Sequence, residues 1–210
     1  MSLYGLILGI SFVIGIYYFQ KHEKKLNQKS RLIYQFLVII IGIIGARIYF
    51  VLFNLDYFLN NKPEIINLRG GGLGIFGGII AGVIFTMCFL KKKKVKFLNF
   101  TDQFIAIIPL CQSIGRWGNF FNHEIYSKNG HPIWLYESVL NLVLFLVLIK
   151  SKSQKTAKYL IGYGIIRLIT EFFRYDVWIV NNIKIGQIIS LIFIISGILI
   201  HYISSNKGIK

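Results

Sequence analysis

The chain has 210 residues, 55% of them hydrophobic, with a mean hydropathy of +0.61 and a formal net charge of +16. So apolar a composition excludes an ordinary soluble domain and suits a protein that crosses a bilayer several times. The charge does not mark a nucleic-acid binder, because the Lys and Arg residues gather in loops between apolar runs instead of forming one basic face.

The hydropathy pattern predicts seven membrane-spanning helices, at about 3–20, 33–54, 73–90, 98–115, 134–149, 159–173 and 185–203. The first lacks a basic segment ahead of it and a small-x-small cleavage site behind it, so it reads as a retained helix and not a signal peptide. The second carries Arg47 in its apolar run. The segment 55–72 leads into the glycine-rich run Gly70–Gly78. That run contains a formal GxGxxG, Gly72 to Gly77, but no strand precedes it and no βαβ unit surrounds it, so it is not a dinucleotide fingerprint. Two readings are open: close helix packing through small residues, or a loop whose backbone N–H groups face a phosphate at a helix N-terminus. Asp102 opens the fourth span and reads as an interfacial or helix-start carboxylate. Cys88 and Cys111 both fall within spans and read as buried, inert thiols, not a disulfide framework.

The fourth span runs into Arg116-Trp-Gly-Asn-Phe-Phe-Asn-His-Glu-Ile-Tyr126, the densest group of polar residues in an oily chain. A bilayer penalises such groups unless they are paired or perform chemistry. Arg116 beside the amides of Asn119 and Asn122 suits a lipid phosphate, and Gly118 permits close backbone approach. Taken singly, each residue also fits a snorkelling Arg or a turn-capping Asn; together, with Glu124 and Tyr126 close behind, they point to a site. His123, Glu124 and His131 do not match a metal-ligand spacing, and no metal or other cofactor is expected. His131-Pro132 precedes the fifth span, in which Glu137 is either ion-paired to a buried Arg, such as Arg47, or protonated.

In the sixth span Tyr163, Arg167 and Glu171 recur every four residues and form one helical stripe. A mid-helix charge costs about 2.5–3.5 kcal/mol on insertion scales. The stripe is either a structural salt bridge or the wall of a cavity in which Arg167 holds an anion and Glu171 orients it.

Sixteen Lys and Arg fall in 21–31, 91–96, 150–158 and 207–210, against six in the alternate segments: Lys62, Arg69, Arg116, Lys128, Arg174 and Lys184. This positive-inside pattern puts the N-terminus outside, the C-terminus in the cytoplasm, and segments 55–72, 116–133 and 174–184 on the outer face. No linker divides the chain, so 1–210 reads as one all-α transmembrane domain.

The motifs, taken in order, resemble those of the prolipoprotein diacylglyceryl transferase family. They are Tyr4-Gly5, Gly45-Ala-Arg47-Ile-Tyr49, Gly71-Gly72 with Gly77-Gly78, Gly115-Arg-Trp-Gly-Asn-Phe-Phe-Asn-His-Glu124, His131-Pro132 with Leu135-Tyr-Glu137, Tyr163-Gly164 with Arg167, Glu171-Phe-Phe-Arg174 and Gly186-Gln187. The glycine loop has Phe76 where the family often has His, and the signature is followed by Ser127 where Gly is usual.

The resemblance implies transfer of the diacylglyceryl group from phosphatidylglycerol to the lipobox cysteine in the signal peptide of a preprolipoprotein. The products are a thioether and glycerol phosphate, in the first step of bacterial lipoprotein maturation. It implies a multi-pass protein of the bacterial plasma membrane with no nucleic-acid partner; charge counting turns the site toward the extracytoplasmic leaflet. The residues expected to act on the reacting groups are Tyr4, Arg116, Asn119, Glu124, Arg167 and Glu171. Arg116, Gly118, Asn122, Tyr163, Gly71 and Gly72 are expected to bind substrate. Glu124, Glu171 and Tyr4 all remain open as the group that activates the thiol. Phe76 and Ser127 raise one alternative, an inactive relative that binds lipid or lipoprotein.

Overall fold

The computed structural model describes residues 3–68, 71–175, 177, 179–180 and 183–206. Its elements are α1 (Leu3–His22), α2 (Gln28–Leu52), α3 (Leu55–Asn60), a 3-10 turn (Lys62–Ile66), α4 (Ile75–Lys92), α5 (Phe97–Thr101), α6 (Ile107–Phe121), α7 (Ile133–Lys150), α8 (Lys155–Phe173), β1 (Ile179–Val180), β2 (Ile183–Lys184) and α9 (Ile185–Asn206). The two short strands pair antiparallel, Ile179 with Lys184 and Val180 with Ile183. The described residues are therefore all-α apart from these two short strands.

Among the described residues, five helices are long and apolar enough to cross a membrane: α1, α2, α4, α7 and α9. Their outward faces carry exposed apolar residues such as Phe12, Phe36, Ile80, Val147 and Ile195. That arrangement suits lipid, which needs no polar surface. Cys88 also lies exposed on α4, not buried as expected.

Two of the seven expected spans differ in form. The run 98–115 is not one helix: α5 ends at Thr101, the chain turns through 102–106, and α6 starts at Ile107. Pro109 sits in the first turn of α6, where its missing N–H would have no partner in any case, so it favours a fresh start over a continuous helix. The restarted helix then runs on to Phe121, so Arg116, Gly118 and Asn119 are helical and not part of a loop. The expected span 159–173 lies within α8, whose length is ample but which carries Lys155, Lys158, Arg167 and Glu171.

The chain forms two compact units, residues 24–97 and residues 1–23 with 98–210. In the first unit α2 packs on α4 through small residues. A methyl at Gly77 would strike the Gly45 carbonyl and the Tyr49 Cβ, so the two backbones touch only because neither carries a side chain there. Deeper in the pair, Tyr34 and Thr86 share a buried hydroxyl hydrogen bond of 3.0 Å.

In the second unit α1 packs on α6, α6 on α7, α7 on α8 and α8 on α9. Its apolar core joins Ile105, Ala106, Leu144, Leu148, Tyr159 and Ile166. Ser11 and Cys111 bind each other's helices reciprocally: the Ser11 hydroxyl donates to the Cys111 carbonyl at 2.8 Å and the Cys111 thiol to the Ser11 carbonyl at 3.3 Å. Asp102 is indeed a helix-start carboxylate, but for a distant helix. Its Oδ1 accepts from the Thr156 N–H at 2.7 Å and the Thr156 hydroxyl at 2.6 Å, closing the first turn of α8.

Gly77→Ala should destabilise the α2–α4 pair by about 1–3 kcal/mol, the usual cost of overpacking a tight contact. Thermal unfolding in detergent reads this as a lowered midpoint, and an unchanged midpoint would deny the close contact.

Candidate active site

The ends of α6, α7 and α8 converge in the second unit, and each brings a charged residue to the same place. Glu137, one turn into α7, is fully buried. Its Oε2 lies 2.5 Å from Arg116 Nε of α6, and its Oε1 accepts from Arg167 Nη1 of α8 at 2.9 Å. The Thr170 hydroxyl adds a bond of 2.9 Å to the same Oε1. Arg167 also donates through Nη2 to Glu171 Oε2 at 2.8 Å, one helical turn on, and Arg174 Nη1 reaches that oxygen at 3.5 Å. The salt-bridge reading of the stripe is met for Arg167 and Glu171, and that pair belongs to a larger charged group.

The burial is asymmetric. The Glu137 and Glu171 side chains are 0% and 4% exposed, whereas Arg116, Arg167 and Arg174 keep 20%, 18% and 17%. Three guanidinium groups share two carboxylates, the acids lie underneath, and the cations reach the surface. Such a face has an uncompensated positive charge and planar donors, the means of holding a phosphate. Burial, and after it the neighbouring Arg167 charge, lowers the Arg174 pKa from its ordinary value, while Glu137 and Glu171 raise it.

The rest of the 116–126 motif is connected to Arg116. Arg116 Nη1 donates to Asn119 Oδ1 at 3.3 Å, and Asn119 Nδ2 donates to Glu124 Oε2 at 2.7 Å. Asn122 Nδ2 donates to the other oxygen of Glu124 at 3.1 Å. Glu124 is exposed and bonded to two neutral amides, unlike the arginine-bound Glu137 and Glu171. His123 and Ile125, on either side of it, take left-handed φ values of 54° and 63°. For a β-branched residue that conformation is strained, and it folds Glu124 back over the end of α6, where its N–H meets the Asn119 carbonyl at 2.9 Å.

Tyr4 and Gly118 also meet. The Tyr4 ring lies so close over Gly118 that an added methyl would stand 2.8 Å from Tyr4 Cδ2. Gly118 is therefore the seat of the Tyr4 ring, as α1 packs on α6. Tyr163 stacks on Tyr159 at 5.6 Å, one turn behind Arg167. Gly71 and Gly72 lie in the other unit, where they take φ of 82° and 76°. Their carbonyls accept from Arg47 Nη1 at 2.8 and 2.9 Å. Arg47 also donates to the Ile65 carbonyl at 2.9 Å and to the Glu64 carbonyl. Arg47 is thus spent on loop carbonyls, and the expectation that it pairs with Glu137 is corrected: Arg116 and Arg167 are the partners.

Sequence reasoning missed Glu137 as the centre of the group, and it left out Arg174 and Lys184. Arg174 was visible as the residue three after Glu171. Lys184 Nζ donates to the carbonyls of Glu171, Phe172 and Arg174 at 2.7, 3.2 and 3.2 Å and so caps the C-terminus of α8, a contact with no local signature. Ser127 has a structural place. Its Oγ accepts from the His131 N–H at 3.0 Å, and its backbone pairs with Arg174, strapping the 126–131 loop to the end of α8.

A family model described as prolipoprotein diacylglyceryl transferase matches residues 1–203. The chain is similar to the phosphatidylglycerol--prolipoprotein diacylglyceryl transferase of Finegoldia magna, at 37% identity over 99% of this chain and 92% of the relative. It is 35% identical to that of Clostridioides difficile, covering 98% and 91%. With that of Streptococcus uberis the identity is 32%, covering 93% and 87%.

Glu137→Ala would leave two partly buried guanidinium groups without their shared counter-charge, a loss of about 3–5 kcal/mol. Chemical or thermal unfolding in detergent measures it. A loss no greater than that of a surface ion pair would show that Glu137 is not the centre of the cluster.

Proposed function

The chain belongs to the prolipoprotein diacylglyceryl transferase family, and we propose that the Arg116–Glu137–Arg167 cluster is where it transfers the diacylglyceryl group of phosphatidylglycerol to a prolipoprotein. The observation that carries this assignment is the pair of guanidinium groups held on one buried carboxylate with their outer edges exposed.

The acceptor is the lipobox cysteine thiol of the preprolipoprotein signal peptide. Its sulfur attacks the glyceryl carbon that bears the phosphate oxygen. The C–O bond breaks, the C–S bond of the thioether forms, and glycerol phosphate leaves with the bonding electron pair. Negative charge grows on that phosphate, so donors fixed beforehand at its position stabilise the transition state more than the bound lipid. Arg116 and Arg167 supply those donors, with Arg174 adding to the field.

The thiol reacts as thiolate, so its proton needs an acceptor. Of the carboxylates here, Glu137 and Glu171 already have oxygens engaged by arginine guanidinium groups. Glu124 is held by two amides and faces outward, so it takes the thiol proton and later yields it to water. Asn119 and Asn122 aim it, Gly118 seats the Tyr4 ring on the same helix end, and Tyr163 lines the approach to Arg167. Gly71 and Gly72, on the loop held by Arg47, offer backbone to a lipid phosphate.

Residues 1–210 act as one domain of a multi-pass protein of the bacterial plasma membrane. No nucleic acid takes part. α6 with α5, and α8, complete the crossings to seven. The alternation of basic segments supports an outer N-terminus, a cytoplasmic C-terminus and a site at the extracytoplasmic leaflet.

Purified protein incubated with phosphatidylglycerol and a lipobox peptide should yield both lipidated peptide and glycerol phosphate. Arg116→Ala should abolish both while the protein still inserts in membranes; full activity in that variant would remove Arg116 from the mechanism. Glu124→Gln should lower kcat by about 10²–10⁴-fold, the range of a lost general base, with little change in KM for the lipid. A wild-type protein that binds the lipid but yields neither product would be an inactive relative.

A further inference from the structure

We propose that Gly186 is a positioning residue that seats the Glu171 carboxylate against the start of α9 and through it aims Arg167; this rests on the reaction assigned above. Gly186 is the second residue of α9 and lies directly under Glu171, so that an added β-carbon would overlap the carboxylate, with Oε2 only 2.8 Å away. The position is half-buried, and the carboxylate is also held by Arg167 Nη2 at 2.8 Å, so that swinging away from an added methyl would bend or break that bond. A carboxylate at a helix N-terminus is favoured by the positive end of the helix dipole. Glycine is what lets the carboxylate approach that backbone so closely.

The neighbouring residue on the chain fixes the same contact from the backbone side. Lys184 donates to the carbonyls of Glu171, Phe172 and Arg174, so the last turn of α8 and the first turn of α9 are tied together two residues before Gly186. The 184–186 segment therefore meets Glu171 twice, with Lys184 bonded to its carbonyl and Gly186 close under its carboxylate. Arg167 divides its donors between Glu137 and Glu171, so the plane of its guanidinium is set by two carboxylates at once. Moving one of them turns the plane. A catalytic donor displaced by about 1 Å can cost 10²-fold in rate.

The test is a double-mutant cycle on kcat/KM for phosphatidylglycerol, with Gly186→Ala introduced into the wild type and into Glu171→Ala. In the wild type the added methyl should lower kcat/KM about tenfold or more; where the carboxylate has been removed, the same methyl should cost less than about twofold. Equal losses in the two backgrounds would overturn the proposal. If turnover in Glu171→Ala is too slow to read, the cycle is scored on phosphatidylglycerol affinity with the same two outcomes. If Gly186→Ala does not fold, it is scored on the yield of folded protein: rescue by Glu171→Ala supports the seat, and failure in both backgrounds overturns it. No transfer by the wild type in the same run overturns the assigned reaction and this inference together, whereas wild-type transfer with an additive cycle overturns the inference alone.

Discussion

Glu137 holds two arginines that come from different helices, and it does so with no exposure of its own. A buried carboxylate with one partner removed is expensive, and so is a guanidinium in an apolar bundle. Each group is therefore tolerable only when α6, α7 and α8 stand in one relation to one another. The Ser113–Ser138 hydroxyl bond of 3.0 Å between α6 and α7, and the Asp102 cap on α8, keep that relation from below. A bundle that needed only packing would do as well with apolar residues in these places. In the proposed function the charges have a use at the exposed edges of the guanidinium groups, where a phosphate would find donors already fixed and partly desolvated.

Around this centre, small residues set distances that charges alone would not. Gly118 admits the Tyr4 ring, Gly186 admits the Glu171 carboxylate, and Gly164 brings the α8 backbone onto α9, where a methyl would stand 2.9 Å from the Ser190 carbonyl. The loop after α6 is shaped differently, by strain at Ile125 and by the turn in which Ser127 accepts from the His131 N–H. That turn is built on Ser127, whose backbone also pairs with Arg174.

Much of this was legible in the sequence because it is local. Hydropathy marks α1, α2, α4, α7 and α9 as apolar runs, and the 116–126 motif stands out because its polar residues are adjacent in the chain. The Arg167–Glu171 pair was visible from its i,i+4 spacing. The break at 102–106 was not, since an apolar turn and an apolar helix have the same hydropathy, and Pro109 was hidden in that run. The partner of Glu137 was also hidden: pairing across helices depends on how α6, α7 and α8 pack, and Arg47 was an equally good candidate until its four carbonyl partners were seen. Lys184 and Gly186 act over contacts with no repeat or motif of their own. The family resemblance placed Gly186 among matching positions without giving it a task.

The claim that matters most is that Arg116 and Arg167 bind phosphate as one unit because they share Glu137. Phosphorus NMR of phosphatidylglycerol in nanodiscs containing the protein measures it directly. The account predicts a distinct bound-phosphate resonance that disappears in Arg116→Ala and, to the same extent, in Arg167→Ala, with no further loss when both are replaced. A bound resonance that survives either single replacement would contradict it.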